Sequence, residues 1–262
     1  MTNDRARFDG KTFIITGGAS GLGLACVKRI INAGGNAVIA DLNLAGAETI
    51  AAELGNNHAL GARCDVSSSE QVNAMLARAI EKFGAVDGVI CCAGIGAGHP
   101  FLELSEADFD LDLRVNLKGT FLVGQAVAKH LVETGRAGSI VAISSTQSLV
   151  CSETLVAYAA GKAGVLGLVR AMAVALGGYN IRVNAVAPGP MDTPMLRGSI
   201  PVGSEIERLH ISRTPLGRFA DPDEMASAAI YFASDDASFI TGQTLYVDGG
   251  RTVLAFVMPD KT

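Results

Sequence analysis

A tyrosine and a lysine four residues apart, Tyr158 and Lys162, have the residue types and spacing for proton transfer. They lie in an apolar run of good helix formers, and residues i and i+4 share one face of a helix. An ammonium about 5 Å from a phenol stabilises the phenolate by roughly 3 kcal/mol at an effective dielectric constant of about 20. The spacing therefore predicts a tyrosine pKa lowered by roughly 2 units, which suits a general base near neutral pH. The same spacing is also typical of a solvent-exposed pair. The surrounding motifs are therefore needed to distinguish a catalytic pair from an exposed one.

A glycine-rich segment, TGGASGLG at residues 16–23, directly follows the first predicted strand. Its glycines permit a tight turn, a close backbone approach to a pyrophosphate and a helix N-terminus aimed at that group. An unliganded glycine-rich turn is the alternative. The position at the start of the sheet favours dinucleotide binding by Gly17, Ser20, Gly21, Leu22 and Gly23.

Two aspartates follow the next two predicted strands. Asp41 lies 18 residues past Gly23, where a carboxylate can accept hydrogen bonds from both ribose hydroxyls of an adenosine. It would repel a 2′-phosphate, and no Arg or Lys occurs in the next three residues, so the sequence predicts NAD rather than NADP. A helix cap, provided by Asp41 or Asn43, is the alternative. Asp65 and Val66 are placed to meet the adenine edge, although an aspartate that opens a loop also caps helices.

Short β-branched runs alternate with helix-length amphipathic runs along the chain. This alternation predicts an α/β fold, a doubly wound, Rossmann-like parallel sheet in three αβα layers, as one domain over residues 1–262. Ligands are expected at the carboxyl ends of the strands. The irregular segment 188–222 suggests a substrate lid at about 190–220. The predicted strands are 12–16, 37–41, 58–65, 86–93, 139–144, 181–187 and 244–248, and the predicted helices are 22–33, 44–54, 69–83, about 107–132, the helix that carries Tyr158, and 221–233.

Composition limits the kinds of partner. With 49% hydrophobic and 18% charged residues the chain is globular, and a net charge of -5 argues against nucleic-acid or anionic-membrane binding. The N-terminal ten residues contain no apolar signal-peptide region, and the apolar segment 163–178, broken by Arg170, is interpreted as a buried helix too short to span a bilayer. Five cysteines without CxxC or metal-ligand spacing predict no metal site and a reducing cytoplasm.

These motifs occur together and in order, and the chain resembles the short-chain dehydrogenase/reductase family, in its compact single-domain branch, over about residues 9–250. Residues 16–23 match the TGxxxGxG motif of that branch and residues 158–162 its YxxxK motif, while residues 240–250 resemble its C-terminal strand. The family usually has Asn-Asn-Ala-Gly after the fourth strand, where this chain has Cys91, Cys92, Ala93 and Gly94. The two missing amides remove side-chain hydrogen bonds, whereas Gly94 keeps the close backbone approach to a cofactor.

The resemblance implies hydride transfer between a secondary alcohol and a nicotinamide. It assigns Tyr158 as general acid/base, Lys162 to lowering the tyrosine pKa and holding the ribose, and Ser145 to hydrogen-bonding the reacting oxygen. Asn116 would position a water that links Lys162 to solvent. An ordinary polar strand end and a packed helix asparagine are the alternatives for Ser145 and Asn116, and Ser144 is a competing serine. Further cofactor contacts are implied for Pro188, Gly189, Met191 and Thr193, with Cys92, Ala93 and Gly94.

The substrate is less well defined by the sequence. Gln147 and Glu153 could hydrogen-bond a sugar or polyol hydroxyl, or they could face solvent. The lid contains four arginines and His210, which would suit an anionic substrate unless these side chains are solvated. The residues expected near the substrate are Ile95, Gln147, Glu153, Pro190, Met195 and Arg197.

Three functions remain open from the sequence. An NAD-dependent dehydrogenase of a sugar, polyol or cyclic alcohol is favoured. A 3-oxoacyl-thioester reductase shares the resemblance, but usually prefers NADP and would need a basic surface for its acidic carrier protein. A non-catalytic dinucleotide sensor is disfavoured by the intact catalytic set. The expected partners are a small-molecule alcohol or ketone and, from the apolar tail at 251–258 and the family resemblance, three further copies in a homotetramer.

Overall fold

The computed structural model describes residues 7–257, whose strands form one seven-stranded parallel sheet. The strand order is β3-β2-β1-β4-β5-β6-β7, so the direction of winding reverses between β1 and β4. This order is that of a doubly wound sheet, as predicted. The strands are β1 (Thr12–Thr16), β2 (Asn36–Asp41), β3 (Ala59–Arg63), β4 (Gly88–Cys91), β5 (Gly138–Ile143), β6 (Ile181–Pro188) and β7 (Thr244–Val247).

Helices cover both faces of the sheet and make two hydrophobic cores. Successive side chains of a strand point to opposite faces, so Ile14 of β1 belongs to one core while Phe13 and Ile15 belong to the other. The three predicted layers are therefore present. The helices are α1 (Gly21–Asn32), α2 (Leu44–Leu54), α3 (Ser69–Phe83), α4 (Glu106–Leu113), α5 (Gly119–Glu133), α6 (Val156–Leu176), α7 (Pro194–Arg197), α8 (Glu205–Ser212) and α9 (Pro222–Ala233).

The predicted helix over about 107–132 is interrupted in the structure. A π-helical turn, Arg114–Lys118, joins α4 to α5. A π turn inserts an extra residue into the helical repeat and is frequently found at functional sites. Hydrophobic periodicity does not reveal such an insertion, because the apolar pattern continues on both sides of it. The ends of the strands also differ from prediction: β3 and β4 are shorter than the apolar runs 58–65 and 86–93 that contain them.

The segment between β6 and α9 contains two short helices, α7 and α8, within otherwise irregular chain. Thr193 begins α7 by accepting a hydrogen bond from the Leu196 amide, and Ser204 begins α8 in the same way from Glu207. The predicted lid segment thus has local structure of its own and lies beside the carboxyl end of β6.

One apolar helical segment, Val156–Tyr179, is long and apolar enough to cross a bilayer by length and composition. The sequence predicts a helix that carries Tyr158, but the judgement that it is too short to span a bilayer considered only its part 163–178. In the structure α6 packs on β6 and on α4 and holds Lys162 in the protein interior. These contacts are those of a core helix in an α/β layer. The first six residues of the chain, and Met258 of the predicted apolar tail, lie outside the described residues.

The stability of the sheet should depend on the absence of a side chain at Gly88, at the start of β4. A methyl group there would collide with the Ser139 carbonyl oxygen and lie 2.5 Å from the Phe13 ring. We expect Gly88→Ala to lower the free energy of unfolding by about 1–3 kcal/mol, as overpacked core sites do. Gly178→Ala, where no atom lies within 4 Å of the added carbon, is the control in urea denaturation. Equal unfolding free energies for Gly88→Ala and wild type would contradict this packing.

Candidate active site

A cleft of about 350 Å³ opens at the carboxyl ends of β1 and β4, where the winding of the sheet reverses. The glycine-rich segment forms one wall. Gly17 has a φ of +63°, and a side chain there would lie 3.0 Å from the Ala93 backbone. A side chain at Gly23 would collide with the Gly17 carbonyl oxygen. The glycines therefore permit both the turn and its contact with the chain after β4.

The structure brings every residue predicted to bind the cofactor to the lining of this cleft. These residues lie at or after the carboxyl ends of six parallel strands, β1 to β6, which end at the same edge of the sheet. They are Gly17, Ser20, Gly21, Leu22, Gly23, Asp41, Asp65, Val66, Cys92, Ala93, Gly94, Tyr158, Lys162, Pro188, Gly189, Met191 and Thr193.

Asp41 lies at the end of β2 with its carboxylate directed to the glycine loop. One oxygen accepts a hydrogen bond from the Ala19 amide at 3.1 Å, and the other accepts from the Asn43 amide at 3.0 Å. The cap of α2 is Asn43, whose side chain accepts from the Gly46 amide. The alternative role of Asp41 as a helix cap therefore does not apply, and its carboxylate faces the cleft.

Asp65 holds a tight loop after β3. Its side chain accepts hydrogen bonds from the backbone and the hydroxyl of Ser67, which lower the pKa of the Asp65 carboxyl. Ser68, and not Asp65, caps α3. The carboxylate thus lines the cleft at the end of β3, beside Val66.

Tyr158 and Lys162 lie one turn apart on α6 and point into the same cleft. The Lys162 ammonium is 5.6 Å from the centre of the Tyr158 ring. Lys162 is only 4% exposed, and its Nζ donates to the Ile143 carbonyl oxygen at 2.9 Å. Burial lowers the pKa of Lys162 to about 8, because the charged amine loses solvation.

For the chain without a bound cofactor, the prediction that Lys162 lowers the pKa of Tyr158 is wrong. Burial raises the pKa of the Tyr158 phenol, and the negative charge of Asp112 adds to the rise, while the Ser145 hydroxyl opposes it. The sequence argument counted the attraction of the lysine and left out the loss of solvation around the phenolate. A positive charge bound next to the phenol would oppose this rise.

The two serines after β5 have different roles. The Ser144 hydroxyl donates to the Lys162 carbonyl oxygen at 2.8 Å and so ties α6 to the sheet. Ser145 is 8% exposed and lies beside the Tyr158 phenol. Its hydroxyl oxygen also accepts from the Gln147 amide, which fixes the side chain at the edge of the cleft. Ser145 is therefore the serine that can meet a reacting oxygen.

Asn116 lies in the π turn and is fully buried. Its Oδ1 accepts from the Ile95 amide at 3.2 Å, and its Nδ2 donates to the Ile95 carbonyl at 2.9 Å and to Asp112. A side chain at Gly94 would lie 2.7 Å from Asn116 Oδ1 and 3.4 Å from Lys162 Nζ. Asn116 therefore orders the chain around Gly94, beside the lysine.

Four of the residues predicted to meet the substrate do not line the cleft, whereas Ile95 and Met195 do. The Gln147 side chain is bound to Ser152, and Glu153 is exposed. Pro190 faces a separate cavity of about 70 Å³. The Arg197 guanidinium binds the carboxylates of Asp192 and Glu207 and lies 5.1 Å from the Phe219 ring.

Cys91 and Cys92, which stand where the resemblance leads us to expect two asparagines, are mostly buried. Burial raises the pKa of the Cys91 thiol to about 12, and a hydrogen bond with Cys26 together with burial raises that of Cys92. Both thiols are therefore neutral. The end of β4 is held instead by the Ala93 amide, which donates to the Thr16 hydroxyl at 3.1 Å.

Sequence reasoning missed part of the site. The further lining residues are Leu42, Cys64, Val115, Ile143, Ser144 and Pro194. Most of them directly adjoin predicted residues. Their proximity in sequence to those residues was the signal by which they could have been predicted. It also missed Asp112, whose position four residues before Asn116 places the two on one helix face.

The residues present fit a dinucleotide. The glycines allow the tight turn after β1 and its contact with the chain after β4, Asp41 offers a ribose acceptor, and Gly94 places backbone beside Lys162 in the lining of the cleft. Among residues 7–257, no group of three or more His, Cys, Asp or Glu is arranged to hold a metal ion.

Comparison with known proteins agrees with this geometry. Residues 17–252 match the family model described as enoyl-(acyl carrier protein) reductase. The chain is 39% identical to D-threitol dehydrogenase of Mycolicibacterium smegmatis, over 94% of this chain and 95% of that protein. It is 39% identical to 2,5-dichloro-2,5-cyclohexadiene-1,4-diol dehydrogenase of Sphingobium indicum, over 94% and 98% of the two chains.

The fold is also similar to solved structures. A short-chain type dehydrogenase/reductase from Mycobacterium marinum superposes with a TM-score of 0.90 at 30% identity, over 96% of this chain and 99% of that one. The matches in sequence and in structure extend over nearly the whole of each chain. This protein therefore belongs to the short-chain dehydrogenase/reductase family and is an oxidoreductase acting on CH–OH groups.

Proposed function

We propose that the chain is an NAD-dependent dehydrogenase of a neutral secondary alcohol, namely a sugar, polyol or cyclic alcohol, that works in the cytoplasm. The observation that carries the proposal is the convergence of Tyr158, Lys162 and Ser145 on the cleft that the glycine loop and Asp41 also line. The two dehydrogenases at 39% identity are named for a polyol and a cyclic diol, which supports this substrate class.

Each catalytic residue has a role that follows from its contacts. In the oxidising direction the Tyr158 phenolate accepts the hydroxyl proton of the alcohol. The Ser145 hydroxyl donates a hydrogen bond to the same oxygen while the carbonyl forms. Lys162 stabilises the phenolate through its charge, and Asn116 holds the backbone beside it. The bound cofactor supplies a hydride acceptor and, when oxidised, a positive charge.

The charges on the lid favour a neutral substrate over an anionic one. Arg197 is neutralised by Asp192 and Glu207, and Arg218 is paired with Glu224 through two hydrogen bonds. These carboxylates offset the charges of two of the four lid arginines. Met195 and Ile95 add apolar surface to the cleft, which suits the carbon skeleton of an alcohol.

Reduction of a 3-oxoacyl thioester is the second candidate, because the chain is 35% identical to a 3-oxoacyl-(acyl-carrier-protein) reductase of Thermotoga maritima. Asp41 makes this candidate less favourable, because it is expected to give the enzyme a preference for NAD, whereas such reductases usually prefer NADP. The pairing of Arg197 and Arg218 also removes much of the basic surface that an acidic carrier protein would need.

Tyr158→Phe removes the phenolic oxygen that we assign to proton transfer. We expect kcat for alcohol oxidation to fall by about 10²–10⁴-fold, the usual contribution of a general base, with the Kd for NAD little changed. Tyr179→Phe is the control, because that ring is 55% exposed on the surface. Near-normal turnover by Tyr158→Phe across a panel of sugars, polyols and cyclic alcohols would refute the assigned role.

Asp41 should determine the choice of cofactor. The wild type is expected to have the higher kcat/KM with NAD, and Asp41→Asn should lower the NAD value by roughly tenfold to a hundredfold, as lost charged hydrogen bonds do. Asn keeps one acceptor, which can serve the Ala19 amide, whereas the Asn43 amide loses its carboxylate partner. Glu53→Gln, an exposed charge change on α2, is the control. A wild type that prefers NADP would overturn the proposal.

We also propose that the chain assembles as a homotetramer, as its family resemblance implies. Val253 and Phe256 near the C-terminus are each 85% exposed, and Val174 on α6 is 86% exposed, which leaves apolar surface for partner copies. Light scattering should give four chain masses, and Phe256→Ser should shift the population to smaller species. A monomeric wild type would contradict this assembly.

A further inference from the structure

Asp112 is a buried carboxylate in the middle of the candidate active site. It lies on α4, one turn before Asn116, and is only 3% exposed. A buried carboxylate is costly unless it is paired or hydrogen-bonded. The other three acidic residues of this helix, Glu106, Asp108 and Asp110, are not buried. The burial of Asp112 therefore needs an explanation.

The contacts of Asp112 connect it to the catalytic residues. Its Oδ1 accepts a hydrogen bond from Asn116 Nδ2, and the same amide also donates to the Ile95 carbonyl. A side chain at Gly161 would lie 4.0 Å from Asp112 Oδ1. The carboxylate therefore lies near α6 at the residue directly before Lys162, where Asn116 and Leu113 also pack.

The charged and titratable groups around Asp112 come from two packed elements. On α6 these are Lys162 and Tyr158, and on the loop after β4 the group is His99. Burial raises the pKa of Asp112, while the hydrogen bond from Asn116 and the charges of Lys162 and His99 oppose the rise. In turn, Asp112 raises the pKa of Tyr158 and opposes the effect of burial on Lys162. The direction is that expected of a carboxylate facing both groups.

We propose that Asp112 is a positioning residue of the reaction, which anchors the Asn116 carboxamide and holds a negative charge beside Lys162 and Tyr158. This inference rests on the proposed function, since it assigns Asp112 to the proton path of that same site. The charge has two consequences. It keeps Lys162 protonated in a buried site, and it sets the lower pH limit at which Tyr158 can act as a base.

The sign of the effect follows from the charges. Removing the negative charge favours the phenolate and disfavours the ammonium, so both pKa values fall. In alcohol oxidation, kcat/KM should then begin to rise at a lower pH. Asp112→Asn keeps an oxygen that can accept from Asn116 Nδ2, so it removes the charge and retains the hydrogen bond.

The test compares pH profiles of kcat/KM for alcohol oxidation in the wild type and three variants. For Asp112→Asn we expect the acid limb to move down by about 0.5–1.5 pH units, with kcat on the plateau largely retained. Asp112→Ala should show the same movement and, because Asn116 loses its anchor, a kcat lower by roughly tenfold. Asp110→Asn, an exposed residue on the same helix with the same change in charge, should leave the profile unchanged.

A second readout does not depend on turnover. Ultraviolet difference titration follows phenol ionisation in the ligand-free protein, and subtraction of the Tyr158→Phe curve isolates Tyr158 from the other three tyrosines. Its pKa should be lower in Asp112→Asn than in the wild type. An unshifted acid limb and an unshifted phenol titration in a folded Asp112→Asn protein would overturn the inference while leaving the dehydrogenase proposal intact. A wild type without turnover would instead count against the proposed function, and the titration alone would then decide the role of Asp112.

Discussion

The buried ammonium of Lys162 is the constraint on which the arrangement of the site depends. An amine that is 4% exposed loses most of its hydration, and burial lowers its pKa to about 8. Its charge is held by the Ile143 carbonyl oxygen at 2.9 Å and by the negative charge of Asp112. Several structural features follow from this requirement: β5 must end beside α6, the Ser144 hydroxyl ties the two elements together, and α4 brings a carboxylate towards the same place.

The same loss of solvation affects Tyr158, the residue to which we assign proton transfer. The Tyr158 phenol is stabilised in its neutral form by burial and by Asp112, and Lys162 does not reverse this. Tyr158, Lys162 and Gly94 line the same cleft. A positive charge bound there would favour the phenolate. Under the proposed function, an oxidised nicotinamide in the cleft would supply such a charge, which would couple proton transfer to the presence of the hydride acceptor.

Much of the fold could be predicted from the sequence, because hydrophobic period and capping residues are local signals. The predicted bounds of α2, α3 and β1 agree with the structure at both ends. The glycine spacing likewise predicted the tight turn that forms one wall of the cleft, since such a turn restricts both residue type and position. The π turn at Arg114–Lys118 was not predictable in this way, because one inserted residue leaves the apolar pattern nearly unchanged.

The predictions that failed concern interactions between distant parts of the chain. Arg197 suggested an anion site, yet its two carboxylate partners, Asp192 and Glu207, become neighbours only when the lid folds. Gln147 suggested a substrate contact, but its amide is bound to Ser152. The pKa of Tyr158 was predicted in the wrong direction because burial, which the sequence does not give, outweighs the nearby lysine. Side-chain pairing and desolvation both depend on tertiary structure, and spacing alone predicts neither.

The most direct test of this account is the ionisation of the Tyr158 phenol with and without bound NAD⁺. The measurement is an ultraviolet difference titration of the wild type, with the Tyr158→Phe protein subtracted. The account predicts a pKa above the usual tyrosine range in the ligand-free protein and a fall of about one unit or more when NAD⁺ is saturating. A phenol whose pKa is already low without the cofactor, or is unchanged by it, would contradict the account.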